Sequence, residues 1–148
     1  MALYTTTIAS PWSVDEAYSY MSDFANASSW DPSVISARRL GDEPIALDSQ
    51  FDLTVLFAGR STSLRYRVTS FNPPRSITFT SNTRTLLSSD TLTFEPRGDG
   101  CAMNYRAELR FKGVAAIANP ILALLFRRLG DRARDSLRQI LGNHREAA

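Results

Sequence analysis

The sequence predicts an α+β domain in which an antiparallel sheet closes over one long C-terminal helix. Three observations carry this. Apolar and polar residues alternate through much of the segment from Phe51 to Phe111, the period of strands with one buried face. Turn-forming residues break that alternation at short intervals, so successive strands are joined as a meander. From about Pro120 to Leu141 the period becomes helical. Ile121, Leu124, Leu125, Leu129, Ala133, Leu137, Ile140 and Leu141 trace one stripe, with Arg127, Arg134 and Arg138 mainly outside it.

The elements follow in order. Thr5-Thr6-Thr7-Ile8 is a β-branched run suited to a strand. Ser10-Pro11 reads as a helix start, with Ser10 as N-cap, Pro11 at the first helical position and Asp15 and Glu16 near the positive end. Val14, Ala17, Tyr18, Met21 and Phe24 give that helix its apolar face. A short second helix over Asn26 to Trp30 stops at Asp31-Pro32, because a residue before proline avoids the helical region. Phe51, Leu53, Val55 and Phe57 then share one strand face, and Ala58-Gly59-Arg60-Ser61 turns the chain. Leu64, Tyr66 and Val68 point inward on the next strand while Arg65 and Arg67 face solvent. Asn72-Pro73-Pro74-Arg75 breaks the run. Ile77 with Phe79 and Leu92 with Phe94 mark two further strands. Arg97-Gly98-Asp99-Gly100 is the strongest hairpin signal, and Met103, Tyr105, Ala107, Leu109 and Phe111 alternate after it. Gly130 weakens the last helix by about 1 kcal/mol relative to alanine, and marks a bend or a close contact.

Composition narrows the function. The 148 residues are 43% hydrophobic and 22% charged, with a net charge of only +2. A chain of this size buries roughly 68–70% of its unfolded surface and needs no cross-link to fold. Disorder is therefore not expected. The most apolar stretch, Val114 to Phe126, is too short to span a membrane and is interrupted by Asn119-Pro120. Cys101 is the single cysteine, and the N-terminus carries no secretory signature, so a cytoplasmic location is expected. All but one of the 17 basic residues are arginines, Lys112 being the exception. They are scattered, and two excess charges do not make a nucleic-acid footprint. Arg127, Arg128, Arg132, Arg134 and Arg138 on the last helix alternate with Asp131 and Asp135, a salt-bridged solvent face. No His, Cys and carboxylate cluster has metal-ligand spacing, and no cofactor is expected. His144 sits in a polar tail over about 143–148.

The order strand–helix–helix–meander–long helix resembles the SRPBCC superfamily (START-like, Bet v 1-like), and more closely its bacterial polyketide cyclase/dehydrase-type members. The resembling segments are Ile8-Ala9-Ser10-Pro11 with Asp23, Trp30-Asp31-Pro32-Ser33-Val34, and Tyr66-Arg67-Val68 before Asn72-Pro73-Pro74-Arg75. Thr93-Phe94-Glu95-Pro96 with Gly98-Asp99-Gly100, and the end from Gly113 to Leu141, complete the match over nearly the whole chain. Cys101 departs from it, since relatives tend to have threonine or serine there. The resemblance implies one domain over residues 1–148 with the helix-grip fold: a curved seven-stranded antiparallel sheet wrapped around the C-terminal helix, with a hydrophobic cavity between them.

On that footing the inward residues become candidate ligand contacts: Trp30, Phe57, Tyr66, Phe79, Leu92, Met103 and Tyr105, then Leu109, Phe111, Leu124 and Leu125. A solid core is the ordinary reading of such a set, and the resemblance favours a cavity instead. A buried tyrosine hydroxyl needs a partner, which a ligand or trapped water can supply. Asp90 faces inward if the alternation of Leu92 and Phe94 runs back unbroken. It would then be a polar anchor, or with Tyr105 a candidate catalytic acid or base. A bulge at Ser88-Ser89 or a wet rim position is the plainer reading and takes precedence here. Arg128 lies at the stripe's edge, where it could meet an acidic ligand head. The expected function is binding of a hydrophobic, lipid-like or polyketide/aromatic small molecule by a monomer or homodimer. The alternatives are a polyketide cyclase or dehydratase using the same cavity, and a toxin-like or protein-interaction module.

Overall fold

A computed structural model describes residues 2–57, 59–113 and 119–142. Seven strands form one antiparallel sheet: β1 (Ala2–Ser10), β2 (Val34–Leu40), β3 (Gln50–Phe57), β4 (Arg60–Asn72), β5 (Ser76–Asn82), β6 (Leu86–Arg97) and β7 (Gly100–Phe111). Their order across the sheet is β1-β7-β6-β5-β4-β3-β2. Helices α1 (Val14–Ser22) and α2 (Ala27–Trp30) lie between β1 and β2, and α3 (Asn119–Leu141) follows β7. The α+β helix-grip architecture is thus the one expected.

The inward parity read from the sequence holds along β3 to β7. Phe51, Leu53, Leu64, Tyr66, Val68, Ile77, Phe79, Leu92, Phe94, Met103 and Tyr105 are all buried. The outer face is polar: Asp52 takes Arg65 at 2.7 Å and Arg38 at 3.5 Å, and Thr78 pairs with Thr91 at 3.1 Å. The hairpin pairs Arg97 with Gly100, and Gly98 at its first central position has φ +58°, a conformation glycine adopts without a Cβ penalty.

Two expectations need correction. Ser10 does not cap α1. It ends β1, where its Oγ donates to the Leu141 carbonyl at 2.5 Å and accepts from the Trp12 amide at 3.1 Å. The cap is Ser13, whose Oγ accepts from the Glu16 amide while Glu16 bonds back to the Ser13 amide. Pro11 is therefore outside the helix, and Ser10 instead ties the first strand to the end of the last helix.

The second concerns α3. Its C-terminal half follows the stripe, with Ala133, Leu137 and Leu141 buried. Its N-terminal half is rotated: Ile121 is 69% and Leu124 53% exposed, and Phe126 and Leu129 face the sheet. The Tyr4 ring lies over Gly130 so closely that a Cβ there would stand 2.6 Å from it, and Tyr4 Oη donates to Asp131 at 2.9 Å. Close contact, not a bend, accounts for the glycine, and it sets the roll of the helix. Strand β2 shows no clean alternation in its sequence, being an edge strand with a register shift between Val34 and Ser36.

Candidate functional site

Part of the sheet's inner face does not meet α3. A cavity of about 460 Å³ remains there, within the range of small-molecule sites. β3 contributes Leu53, Val55 and Phe57; β7 contributes Ala107, Leu109 and Phe111; α3 contributes Phe126, Leu129 and Ala133. Phe57 and Phe111 stack at 6.0 Å between ring centroids.

A polar layer interrupts this apolar wall. β6 keeps strict alternation and continuous pairing with β7 from Leu86 to Arg97, so Ser88 and Asp90 both point inward. No bulge intervenes, which overturns the plainer reading of Asp90: it lines the cavity and is 8% exposed. Tyr105 Oη donates to Asp90 Oδ1 at 3.3 Å, and Tyr66 Oη lies 2.9 Å from Ser88 Oγ. Asp31, just after α2, completes the layer. Its Oδ1 accepts from the Ser33 amide at 2.9 Å and the Ser33 hydroxyl at 2.7 Å.

Burial pushes the Asp90 carboxyl up to about 7, Asp31's charge adds to the rise, and the Tyr105 hydrogen bond opposes it. Burial also raises Asp31 against the bonds from Ser33. Tyr66 and Tyr105 are raised by burial first and by Asp90's charge second, so both remain protonated at neutral pH. The arrangement holds one carboxylic acid poised near neutrality beside a phenol donor, inside an apolar chamber.

Of the expected contacts, Phe57, Tyr66, Asp90, Tyr105, Leu109 and Phe111 line the cavity. Trp30, Phe79, Leu92 and Met103 do not; they are buried in the solid half of the core. Phe24 fills that half, stacking on Phe79 at 4.1 Å, while Trp30 packs edge-on against Tyr105 at 5.7 Å. Alternation tells which face a residue occupies but not how far along the strand the core is plugged. Leu124, Leu125 and Arg128 are also off the wall: the roll of α3 leaves Leu124 and Arg128 exposed and Leu125 half-buried outside the cavity. Asp31 and Ser33 are the functional candidates that sequence reasoning missed. Asp31-Pro32 reads as a helix stop and Trp30 to Val34 as part of the resemblance, but neither gives Asp31 or Ser33 a role, although an Asp side chain readily bonds the backbone two residues on. Cys101 is a buried free thiol, and His144 lies outside the described residues.

A family profile described as polyketide cyclase/dehydrase and lipid transport matches residues 1–142. The chain belongs to this family. The polyketide cyclase/dehydrase and lipid transport fold recurs in solved structures. A START superfamily protein from Mycobacterium smegmatis aligns with a TM-score of 0.78 at 16% identity, covering 96% of this chain and 98% of its own. The di-domain ARO/CYC StfQ of the steffimycin biosynthetic pathway aligns at 0.68 and 19% identity, covering 95% of this chain and 50% of its own. A major latex-like protein from Panax ginseng aligns at 0.68 and 7% identity, covering 95% and 97%. At these identities the likeness is one of fold. No curated protein sequence matches. Among the described residues no helix is long and apolar enough to cross a membrane.

Proposed function

We propose that this family member binds a hydrophobic small molecule inside the cavity between the sheet and α3. The observation that carries the reading is a chamber of about 460 Å³ whose apolar wall is broken by one layer of polar groups. Burial of apolar ligand surface supplies the affinity, and Tyr66, Ser88, Asp90 and Tyr105 set the orientation. The ligand class by this reading is lipid-like or polyketide-like. The test is native mass spectrometry of the purified protein for a retained ligand, repeated on Ala107→Phe. Ala107 lines the chamber, so the larger side chain should occupy ligand space and abolish retention while the fold persists. A ligand retained equally by both proteins would sink the proposal.

A second reading is favoured by the Asp90–Tyr105 hydrogen bond. A carboxyl near neutrality can take up and return a proton, as cyclisation or dehydration of a bound polyketide chain requires. Turnover of a poly-β-keto substrate that is lost in Asp90→Asn but not in Tyr66→Phe would support it.

A further inference from the structure

The polar layer has a composition that selects among amphipathic ligands. Among the described residues, the charged groups on the cavity wall are Asp31, Asp90 and Arg60. Arg60 is exposed and begins β4, six residues from Tyr66, or roughly 20 Å along an extended strand. It stands at the level of Phe57, with which it pairs, and of Phe111, on which Phe57 stacks. The two carboxyls are at the other end, where Tyr66 and Ser88 meet. Among the described residues, α3 presents Phe126, Leu129, Gly130 and Ala133 to the chamber and no cation.

The hydrogen-bond inventory of that end is unbalanced. Asp90 Oδ1 receives the Tyr105 hydroxyl, and its Oδ2 has no partner among the described residues. Asp31 Oδ1 receives both bonds from Ser33, and its Oδ2 is likewise unbonded. Tyr105 has spent its donor on Asp90. Tyr66 and Ser88 hold one free hydroxyl hydrogen between them. Among the groups on the chamber wall, acceptors thus outnumber donors around a carboxyl that is more than nine-tenths buried, and the unpartnered Trp30 Nε1–H nearby lies off that wall. A ligand carboxylate would bring further acceptors and a like charge. An ammonium brings three donors and the opposite charge, and relieves the cost of holding Asp90 ionised away from water.

We infer that the cavity is built for an amphipathic amine, its apolar body against Leu109, Phe111 and Leu129 and its protonated nitrogen at the Asp31–Asp90 end. This rests on the binding function proposed above and names the chemical class of its ligand. An acidic ligand head, which Arg128 could have met at the stripe's edge, is disfavoured here on the same grounds.

The test uses three probes of one chain length, decylamine, decanol and decanoate, titrated calorimetrically into the whole protein at about pH 8, where a primary amine is still protonated. Decylamine should bind at least tenfold more tightly than decanoate, with decanol between them. Asp90→Asn should bring the three within about twofold of one another. Asp31→Asn, which keeps an Oδ1 acceptor for Ser33, should weaken the amine alone. Circular dichroism establishes that each variant is folded, and should Asp90→Asn not fold, Asp31→Asn carries the test. Decanoate or decanol binding as tightly as the amine overturns the inference and leaves the cavity function standing. Failure of all three to bind overturns both.

Discussion

Tyr105 and Asp90 meet across β6 and β7, the phenol donating to the carboxyl at 3.3 Å with both side chains buried. Neither residue could be so placed by a local motif. Asp90 pairs with Phe79 on one side and Ala107 on the other, and only the continuous register of both ladders turns it inward. A buried carboxyl with one donor is under-satisfied, and the measurable consequences begin there.

Asp90 should make stability fall as pH rises. Its carboxyl is raised from 3.8 to about 7 in the folded chain. Between about pH 4 and pH 7 the folded protein therefore keeps a proton that the unfolded chain has released. The group imposes no penalty below that window and its full penalty above it. Asp90→Asn should flatten the dependence and add about 1–3 kcal/mol at pH 8, read from urea denaturation at a series of pH values. A variant whose stability follows the same pH curve as the parent would contradict the assignment.

Gly130→Ala should destabilise, against helix propensity. Alanine ordinarily gains about 1 kcal/mol over glycine in a helix interior. Here the new methyl would lie 2.6 Å from the Tyr4 ring, and the overpacking should give a net loss of about 1–3 kcal/mol. Adding Tyr4→Ala should remove the conflict, so a double-mutant cycle in thermal unfolding checks the contact.

The two serines near α1 should differ in what they hold. Ser13→Ala removes the cap and should cost about 1 kcal/mol. Ser10→Ala removes the hydroxyl that donates to the buried Leu141 carbonyl and accepts from the Trp12 amide, at about 1–3 kcal/mol. Hydrogen exchange should show the Ser10 variant loosening the end of α3, and the Ser13 variant only the start of α1.

Leucines on the cavity wall and in the solid core should also part company. Leu92 is wholly buried and off the wall, so Leu92→Ala should cost about 2–5 kcal/mol. Leu109 borders the existing cavity. Leu109→Ala leaves less packing to lose, and should cost clearly less while enlarging the chamber and altering ligand retention. Equal losses by chemical denaturation would mean that the chamber is collapsed in solution.

Much of this was legible in the residues themselves. Period-two alternation placed Leu53, Tyr66, Phe79 and Tyr105 on one face because side chains on a strand can point only two ways. Asp-Gly turn chemistry located the β6–β7 hairpin, but Leu92 and Phe94 placed Asp90 inward only on condition that β6 runs unbroken, and the continuous pairing of β6 decided that. The sequence by itself determined the fold class, the sheet's buried face and the set from which the cavity wall is drawn. Tertiary structure decided the rest. Whether Phe79 or Phe57 meets empty space depends on Phe24 plugging one end, a contact 55 residues distant from its partner Phe79. Which side of α3 faces the sheet depends on Tyr4 seating on Gly130, since the N-terminal half of that helix is apolar on more than one side. Asp31 joined Asp90 only when α2 was laid against the sheet. Periodicity records direction, whereas a pocket is set by depth and by roll, and both arise only when distant elements pack.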